Sequence, residues 1–183
     1  MLLLGLSGSL RRGSHNRRLL AAAAAELPSE DRFEMFERLH EIPPYNEDLE
    51  SPEPVVTLRA AIDSADAVLI ATPEYNGSVP GQLKNALDWA SRPFPDNSMR
   101  HKPVAVIGAS TGLFGALWAQ AELRKVLGLI GARVLERELP VGQAHEAFDS
   151  AGRPADEQLR SELADLLAEL RAAAFEPAVQ SAR

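Results

Sequence analysis

Three short, unbroken apolar runs constrain this chain more than anything else in it. They cover residues 1–6, 67–71 and 103–107. Each is too short for a buried helix and does not alternate with polar residues, so each predicts a strand covered on both faces, as in a parallel sheet. Helical spacing fills the gaps. It predicts helices over 14–27, 55–65, 80–91, 113–130 and 154–174, the last with Leu159, Leu163, Leu166, Leu167 and Leu170 on one face. Two weaker strands are predicted at 32–39, an edge by its mixed polarity, and at 133–139. Strand and helix alternate five times without a repeat or linker. The expected fold class is therefore α/β, a doubly wound five-stranded parallel sheet in a single domain over 1–175. Residues 176–183 are expected to form a flexible tail.

Such sheets bind ligands outside the carboxyl ends of the strands, where the strand order switches. Three polar, glycine-bearing loops follow the three apolar runs: 7–16, 73–79 and 108–115. The first holds Ser7, Ser9, Ser14 and Asn16, with Arg11 and Arg12 in the loop and Arg17 and Arg18 just beyond it. A loop of hydroxyls and guanidinium groups that opens into a helix suits a phosphate, because the first helical N–H groups are unpaired and the dipole is positive there. Ser14 is the expected N-cap. Neither Gly-x-Gly-x-x-Gly nor Gly-x-x-x-x-Gly-Lys-Ser/Thr is present, and Gly5-Leu6-Ser7-Gly8-Ser9 falls one residue short of a hydrolase elbow. A terminal phosphate monoester, as in a mononucleotide such as FMN, fits better than a pyrophosphate. The plainer alternative is a solvated basic helix face.

The second loop, Pro73-Glu74-Tyr75-Asn76-Gly77-Ser78-Val79-Pro80, is stiff at both ends and can approach a flat ring closely at Gly77. Its alternative reading is a rigid strand-to-helix turn. The third, with Ser110, Thr111, Gly112 and Gly115, suits a ring edge, although Ser110 or Thr111 would also serve as a helix N-cap. The long segment 40–54, with Pro43, Pro44, Pro52 and Pro54, predicts an irregular loop.

Composition narrows the function. The chain has 183 residues, a formal net charge of −7 and no cysteine. That excludes disulfides and thiolate chemistry, argues against nucleic acid as a partner, and fits a cytoplasmic protein. Residues 1–25 nevertheless carry four arginines and no acid, so the positive charge is local. No apolar run approaches the ~18 residues of a membrane span, and no basic segment precedes the first run as in a signal peptide.

Together the loops resemble a known family. Gly8-Ser9-Leu10-Arg11-x-x-Ser14-x-Asn16 is similar to the phosphate signature of the NADPH-dependent FMN reductases of flavodoxin-like fold, which include bacterial quinone, chromate and azo-dye reductases. The run Pro73–Trp89 resembles their longer second signature, and Pro43-Pro44-Tyr45-Asn46-Glu47-Asp48-Leu49 their loop after the second strand. The resemblance covers about residues 2–139. It implies that Ser9, Arg11, Ser14 and Asn16 hold the FMN phosphate. Pro73, Glu74, Tyr75, Asn76 and Gly77 would line the flavin, with Ser110, Thr111, Gly112 and Gly115 on its other side. Arg12 and His15 depart from the pattern, and their role stays open.

The implied activity is ping-pong. NADPH or NADH delivers hydride to flavin N5, and the electrons go on to a quinone, free flavin, azo compound or metal oxyanion. No side-chain acid, base or metal is expected, and Glu74 is read as mainly structural. An FMN electron carrier that depends on a protein reductase is the alternative; the arginine-bearing loop and an aromatic content of only 5% speak against it. The resemblance also implies a homodimer or homotetramer, with Lys84, Asn85, Asp88, Trp89 and Arg92 as candidate interface residues and Asp88–Arg92 as a possible pair at i, i+4.

Overall fold

The structure, a computed structural model, describes residues 1–176, so nearly all of the expected tail lies outside the described residues. The elements run β1 (Leu2–Ser7), α1 (His15–Ala25), β2 (Arg32–Met35), α2 (Glu53–Ser64), β3 (Ala67–Thr72), α3 (Gly81–Ala90), β4 (Pro103–Ala109), α4 (Leu117–Leu129), β5 (Arg133–Val134), β6 (Pro140–Val141) and α5 (Glu157–Phe175). Every strand pair is parallel. The order is β2-β1-β3-β4-β5, with β6 also on β4. This is the flavodoxin order, and it puts a switch point between β1 and β3.

Alternation along the apolar strands divides the core in two. Leu4, Leu6, Val68, Ile70, Val104 and Val106 face α2, α3 and α4, through Leu58, Ile62, Leu83, Leu87, Leu123 and Leu127. Leu3, Leu69, Ala105 and Ile107 face α1 and α5, through Leu19, Leu20, Leu163, Leu166 and Leu170. Each large side chain so enclosed contributes about 1.5–3 kcal/mol. Both faces of the sheet are thus covered, and the loops at its carboxyl edge are left to meet solvent and ligand.

Two predicted strands are shorter than expected. The run 32–39 is a strand only at Arg32–Met35. Its last ladder bond is Phe36 N–H to Gly5 O at 3.0 Å. Arg38 is then drawn to Glu41 at 2.7 Å and Glu53 at 2.6 Å, which turns the chain away from the sheet. The run 133–139 is interrupted. β5 pairs with the start of β4 and β6 with its end. Between them Leu135 and Leu139 stay in the core. The intervening charges turn outward, Glu138 to Arg124 at 2.6 Å and Arg137 to Glu169 at 2.9 Å.

The prolyl loop after β2 is fastened to α3. Pro43 O accepts from Trp89 Nε1 and Asn85 Nδ2, both at 2.9 Å, and Tyr45 N–H donates to Asn85 Oδ1 at 2.7 Å. Asn85 and Trp89 therefore serve this internal contact. The i, i+4 pair on this helix is also different from the one expected: Asp88 takes Lys84 at 2.7 Å, while Arg92 donates to Tyr45 Oη at 3.0 Å.

Candidate functional site

The carboxyl ends of β1, β3 and β4 open onto one crevice of about 130 Å³. Ser9, Arg11, Ser14 and Asn16 line it from the first loop, Pro73, Glu74 and Tyr75 from the second, and Ser110 and Thr111 from the third. Asn76, Gly77, Gly112 and Gly115 are not among its lining residues.

The first loop is pinned at both ends. Gly8 N–H reaches Ala71 O on β3 at 2.8 Å. Ser7 Oγ donates to Ser9 O at 3.1 Å. Ser14 caps α1 as expected, its hydroxyl accepting from Arg17 N–H at 3.3 Å. Asn16, buried in the first turn of α1, uses both ends of its amide on one residue of β4: Nδ2 donates to Ala109 O and Oδ1 accepts from Ala109 N–H, each at 2.9 Å. Its side chain therefore fastens the first loop to the third.

The second loop is a tight turn. Tyr75 and Ser78 exchange backbone hydrogen bonds at 3.1 and 3.2 Å. Asn76 and Gly77 sit at its centre with φ of 55° and 75°, the left-handed pair that favours Asn-Gly. Those two residues shape the turn while Tyr75, half exposed, stands at the crevice. Glu122 on α4 clamps the turn from outside, accepting from Ser78 Oγ at 2.6 Å and Val79 N–H at 3.3 Å. Those donors hold its carboxyl below the usual carboxylate range, the Ser78 hydroxyl contributing most.

Glu74 acts on the third loop. Its Oε2 accepts from the N–H groups of Trp118 and Ala119, both at 3.1 Å. α4 begins at Leu117, later than expected, behind a left-handed Ala116 that offers no capping side chain. Neither Ser110 nor Thr111 caps it. The cap comes from the second loop, and the structural reading of Glu74 is accounted for by it. Gly115, with φ of 56°, lets the third loop lie against β6; a Cβ there would fall 2.4 Å from Pro140 C.

Charge along the first loop and the start of α1 is lopsided. Arg17 is taken by Glu37 at 2.7 Å. Arg11, Arg12 and Arg18 have no acidic partner among the described residues. His15, which also lines the crevice, has a buried Nδ1 with no hydrogen-bond partner. Burial first, then Arg18, Arg11 and His145, hold its imidazole below the ordinary value. Hydroxyls, the Arg11 guanidinium and a helix N-terminus together form a donor set that fits a phosphate.

His15, whose role the sequence leaves open, and Ala109, which it does not single out, also line the crevice. A histidine beside an N-cap serine in an all-basic segment is a signal that could have been read for His15; Ala109 contributes position rather than chemistry. A larger cavity, about 620 Å³, lies elsewhere, between the loop after β2 and the α2–α3 side. Tyr45, Arg59, Trp89, Arg92 and Phe94 are among its walls. Its size does not make it the site, because the three glycine-bearing loops converge on the other opening.

The comparisons agree with the geometry. The family model of the NADPH-dependent FMN reductases matches residues 1–146. An NAD(P)H-dependent FMN reductase of Pseudomonas aeruginosa is 44% identical over 161 residues, 86% of each chain. A 2-hydroxy-1,4-benzoquinone reductase of a Burkholderia species is 40% identical over 159 residues, 85% of this chain and 86% of its own. The solved structure of FerB, a flavoenzyme NAD(P)H:(acceptor) oxidoreductase of Paracoccus denitrificans, superposes with a TM-score of 0.85 at 36% identity, covering 94% of this chain and 98% of that one. With the strand order, the three loops and these likenesses in agreement, the chain belongs to the NADPH-dependent FMN reductase family.

Proposed function

We propose that the chain is an FMN-containing reductase that takes electrons from NADPH or NADH and gives them to a small-molecule acceptor of the quinone type by a ping-pong cycle. The observation that carries the reading is the convergence of Ser9, Arg11, Ser14, Pro73, Tyr75, Ser110 and Thr111 on one crevice at the carboxyl edge of the sheet. Membership of the family and the relatives' names support it.

FMN, when bound, would supply the redox chemistry, hydride uptake and electron delivery, that no side chain here provides. The chain's own residues bind and orient. Ser9, Arg11 and Ser14 offer the phosphate separate donors, and about 130 Å³ admits a group of that size rather than the whole cofactor. Asn16, in this reading, sets the distance between the phosphate loop and the third loop. Tyr75 would flank the ring, held in place by the turn that Glu122 clamps. Ping-pong exchange needs one ring face open to both donor and acceptor, and Tyr75, which lines the crevice, is itself exposed.

The reading further takes the enzyme as cytoplasmic and as a homodimer or homotetramer. Among the described residues no helix is long and apolar enough to cross a membrane. Exposed Phe114 and Trp118, in edge-on contact at 5.1 Å, offer apolar surface for a second subunit.

The test is anaerobic addition of NADPH, then NADH, to the protein saturated with FMN. The flavin absorbance should bleach and should return on addition of a benzoquinone, and initial rates should give parallel double-reciprocal lines. Absorbance that neither nucleotide changes would refute the enzyme reading, and intersecting lines would refute the ping-pong order.

A further inference from the structure

We propose that Asn76-Gly77 is a site of spontaneous deamidation in the turn after β3, and that Glu122 guards it by keeping that turn closed. The proposal concerns the chain without any ligand, so it stands or falls separately from the FMN reading.

Five asparagines give a comparison within one molecule. Four have their amides engaged. Asn16 holds the N–H and C=O of Ala109, each at 2.9 Å. Asn46 Oδ1 accepts from Asp48 N–H at 2.9 Å. Asn85 is tied to Tyr45 N–H at 2.7 Å and to Pro43 O at 2.9 Å. Asn97, buried, accepts from Met99 N–H at 3.0 Å and donates to Ile130 O at 3.1 Å. The amide of Asn76 makes no hydrogen bond among the described residues, and Asn76 and Gly77 are both exposed. Asn76 is also the one asparagine that a glycine follows. The two backbone bonds of the turn join Tyr75 and Ser78, which leaves Gly77 N–H free of any partner among the described residues. Space around Gly77 is open: a Cβ built there meets nothing within 4 Å.

These features suit attack of the backbone on the amide. Gly77 N, once its proton has gone to hydroxide, attacks Asn76 Cγ. The new N–Cγ bond closes a succinimide ring as the Cγ–Nδ2 bond breaks and ammonia leaves. Water then opens the ring at either carbonyl and gives aspartate or isoaspartate at position 76. No oxidant or cofactor takes part. Glycine leaves the attacking nitrogen unshielded, and asparagine is a thermolabile residue.

The closed turn is the obstacle. Asn76 and Gly77 lie in left-handed backbone, with φ of 55° and 75°, and Gly77 N reaches Asn76 Cγ only when Asn76 leaves that region. The reaction therefore runs from the opened turn, and its rate follows the opened fraction. Two sets of contacts hold the turn shut. One is the Tyr75–Ser78 exchange within it. The other comes from α4, where the Glu122 carboxylate accepts from Ser78 Oγ at 2.6 Å and Val79 N–H at 3.3 Å. Isoaspartate carries the backbone through an extra methylene, so the product no longer fits a two-residue turn, and Tyr75 loses its fixed place on the crevice wall.

The experiment incubates the whole protein, without ligand, in mildly alkaline buffer at physiological temperature. Peptide mapping that separates aspartate from isoaspartate follows each asparagine with time. Conversion at Asn76 should outrun that at the buried, bonded Asn97 by roughly tenfold or more. Glu122→Gln keeps the size of the clamp and withdraws its charge. It should speed conversion at Asn76 by roughly fivefold and leave Asn97 at its slow rate, which separates an opened turn from a loosened fold. The converted form, isolated by its added negative charge, should exchange Ser78 N–H faster than fresh protein. Conversion at Asn76 no faster than at Asn97 would overturn the site. A Glu122→Gln rate equal to that of wild type would overturn the guard, and unaltered exchange at Ser78 would overturn the effect on the turn.

Discussion

Asn16 joins two loops that lie 93 residues apart in sequence, through both polar atoms of one buried amide. Asn16→Ala would strand the Ala109 N–H and C=O in a closed interior, at about 1–3 kcal/mol for each group left unpaired. We expect a denaturant midpoint lowered by at least ~2 kcal/mol of stability, along with weaker FMN binding. A variant as stable as wild type would show that the loop tie is dispensable. Arg11 differs in kind, being exposed at the crevice mouth and free of any acid among the described residues. Arg11→Ala should leave the midpoint unchanged and weaken FMN binding by roughly 1.5–3 kcal/mol, which is about 10- to 150-fold. FMN affinity measured by fluorescence quenching checks this, and unchanged affinity would remove Arg11 from the site. At this scale the sequence was informative about residue type and poor about orientation. Asn76, Gly77 and Gly115 stand out in the sequence because they permit left-handed backbone, and they use that freedom to form the loops rather than to line the crevice.

Among the elements, α4 is the one whose start could not be read along the chain. Ser110 and Thr111 offered local caps, yet the helix starts at Leu117 and takes its cap from Glu74, some 44 residues away. Glu74→Ala should therefore cost about 1 kcal/mol and speed amide exchange at Trp118 and Ala119 ahead of the rest of the helix. Unaltered exchange at those two amides would contradict the cap. Glu122, further along the same helix, makes the reciprocal contact to the turn after β3. Its carboxyl is depressed in the folded state by the Ser78 hydroxyl and the Val79 N–H. The stabilisation is thus fully present above the ordinary carboxylate value, about 4.3, and fades as pH falls through the lower folded value. Tyr75 fluorescence or exchange at Ser78 N–H should report loosening of this turn in acid, and Glu122→Gln should remove the pH dependence.

At the scale of the molecule, α5 is tied to the sheet edge by Asp31. Its enclosed carboxylate meets the amino terminus at 2.6 Å and Arg171 at 2.9 Å. The amino terminus, first, and then Arg171 hold it below the usual range. The native state should lose stability as pH falls below about 4, through the depressed value, and Asp31→Asn should be less acid-sensitive but less stable at neutral pH. Thermal unfolding from pH 3 to 7 would show it; identical profiles for the two proteins would rule this contact out as an acid trigger. Assembly is tested by light scattering. A mass two or four times that of the 19.8 kDa chain is expected, and a strictly monomeric protein would oppose the oligomer reading.

What the sequence determined by itself is the layered sheet. Three runs without a polar residue can be stable only between two layers of helices, and each must end in a polar loop on the same edge. The loops' chemistry, hydroxyls with arginine at a helix start and then Asn-Gly, is local and therefore legible. Local rules do not reach the contacts made after the loops converge. Asn16 with Ala109, Glu74 with α4, the interrupted fifth strand and the unpartnered ring of His15 all depend on which segments the fold brings side by side. In each case a buried polar group needs a partner, and only the packed chain decides whether one is within reach.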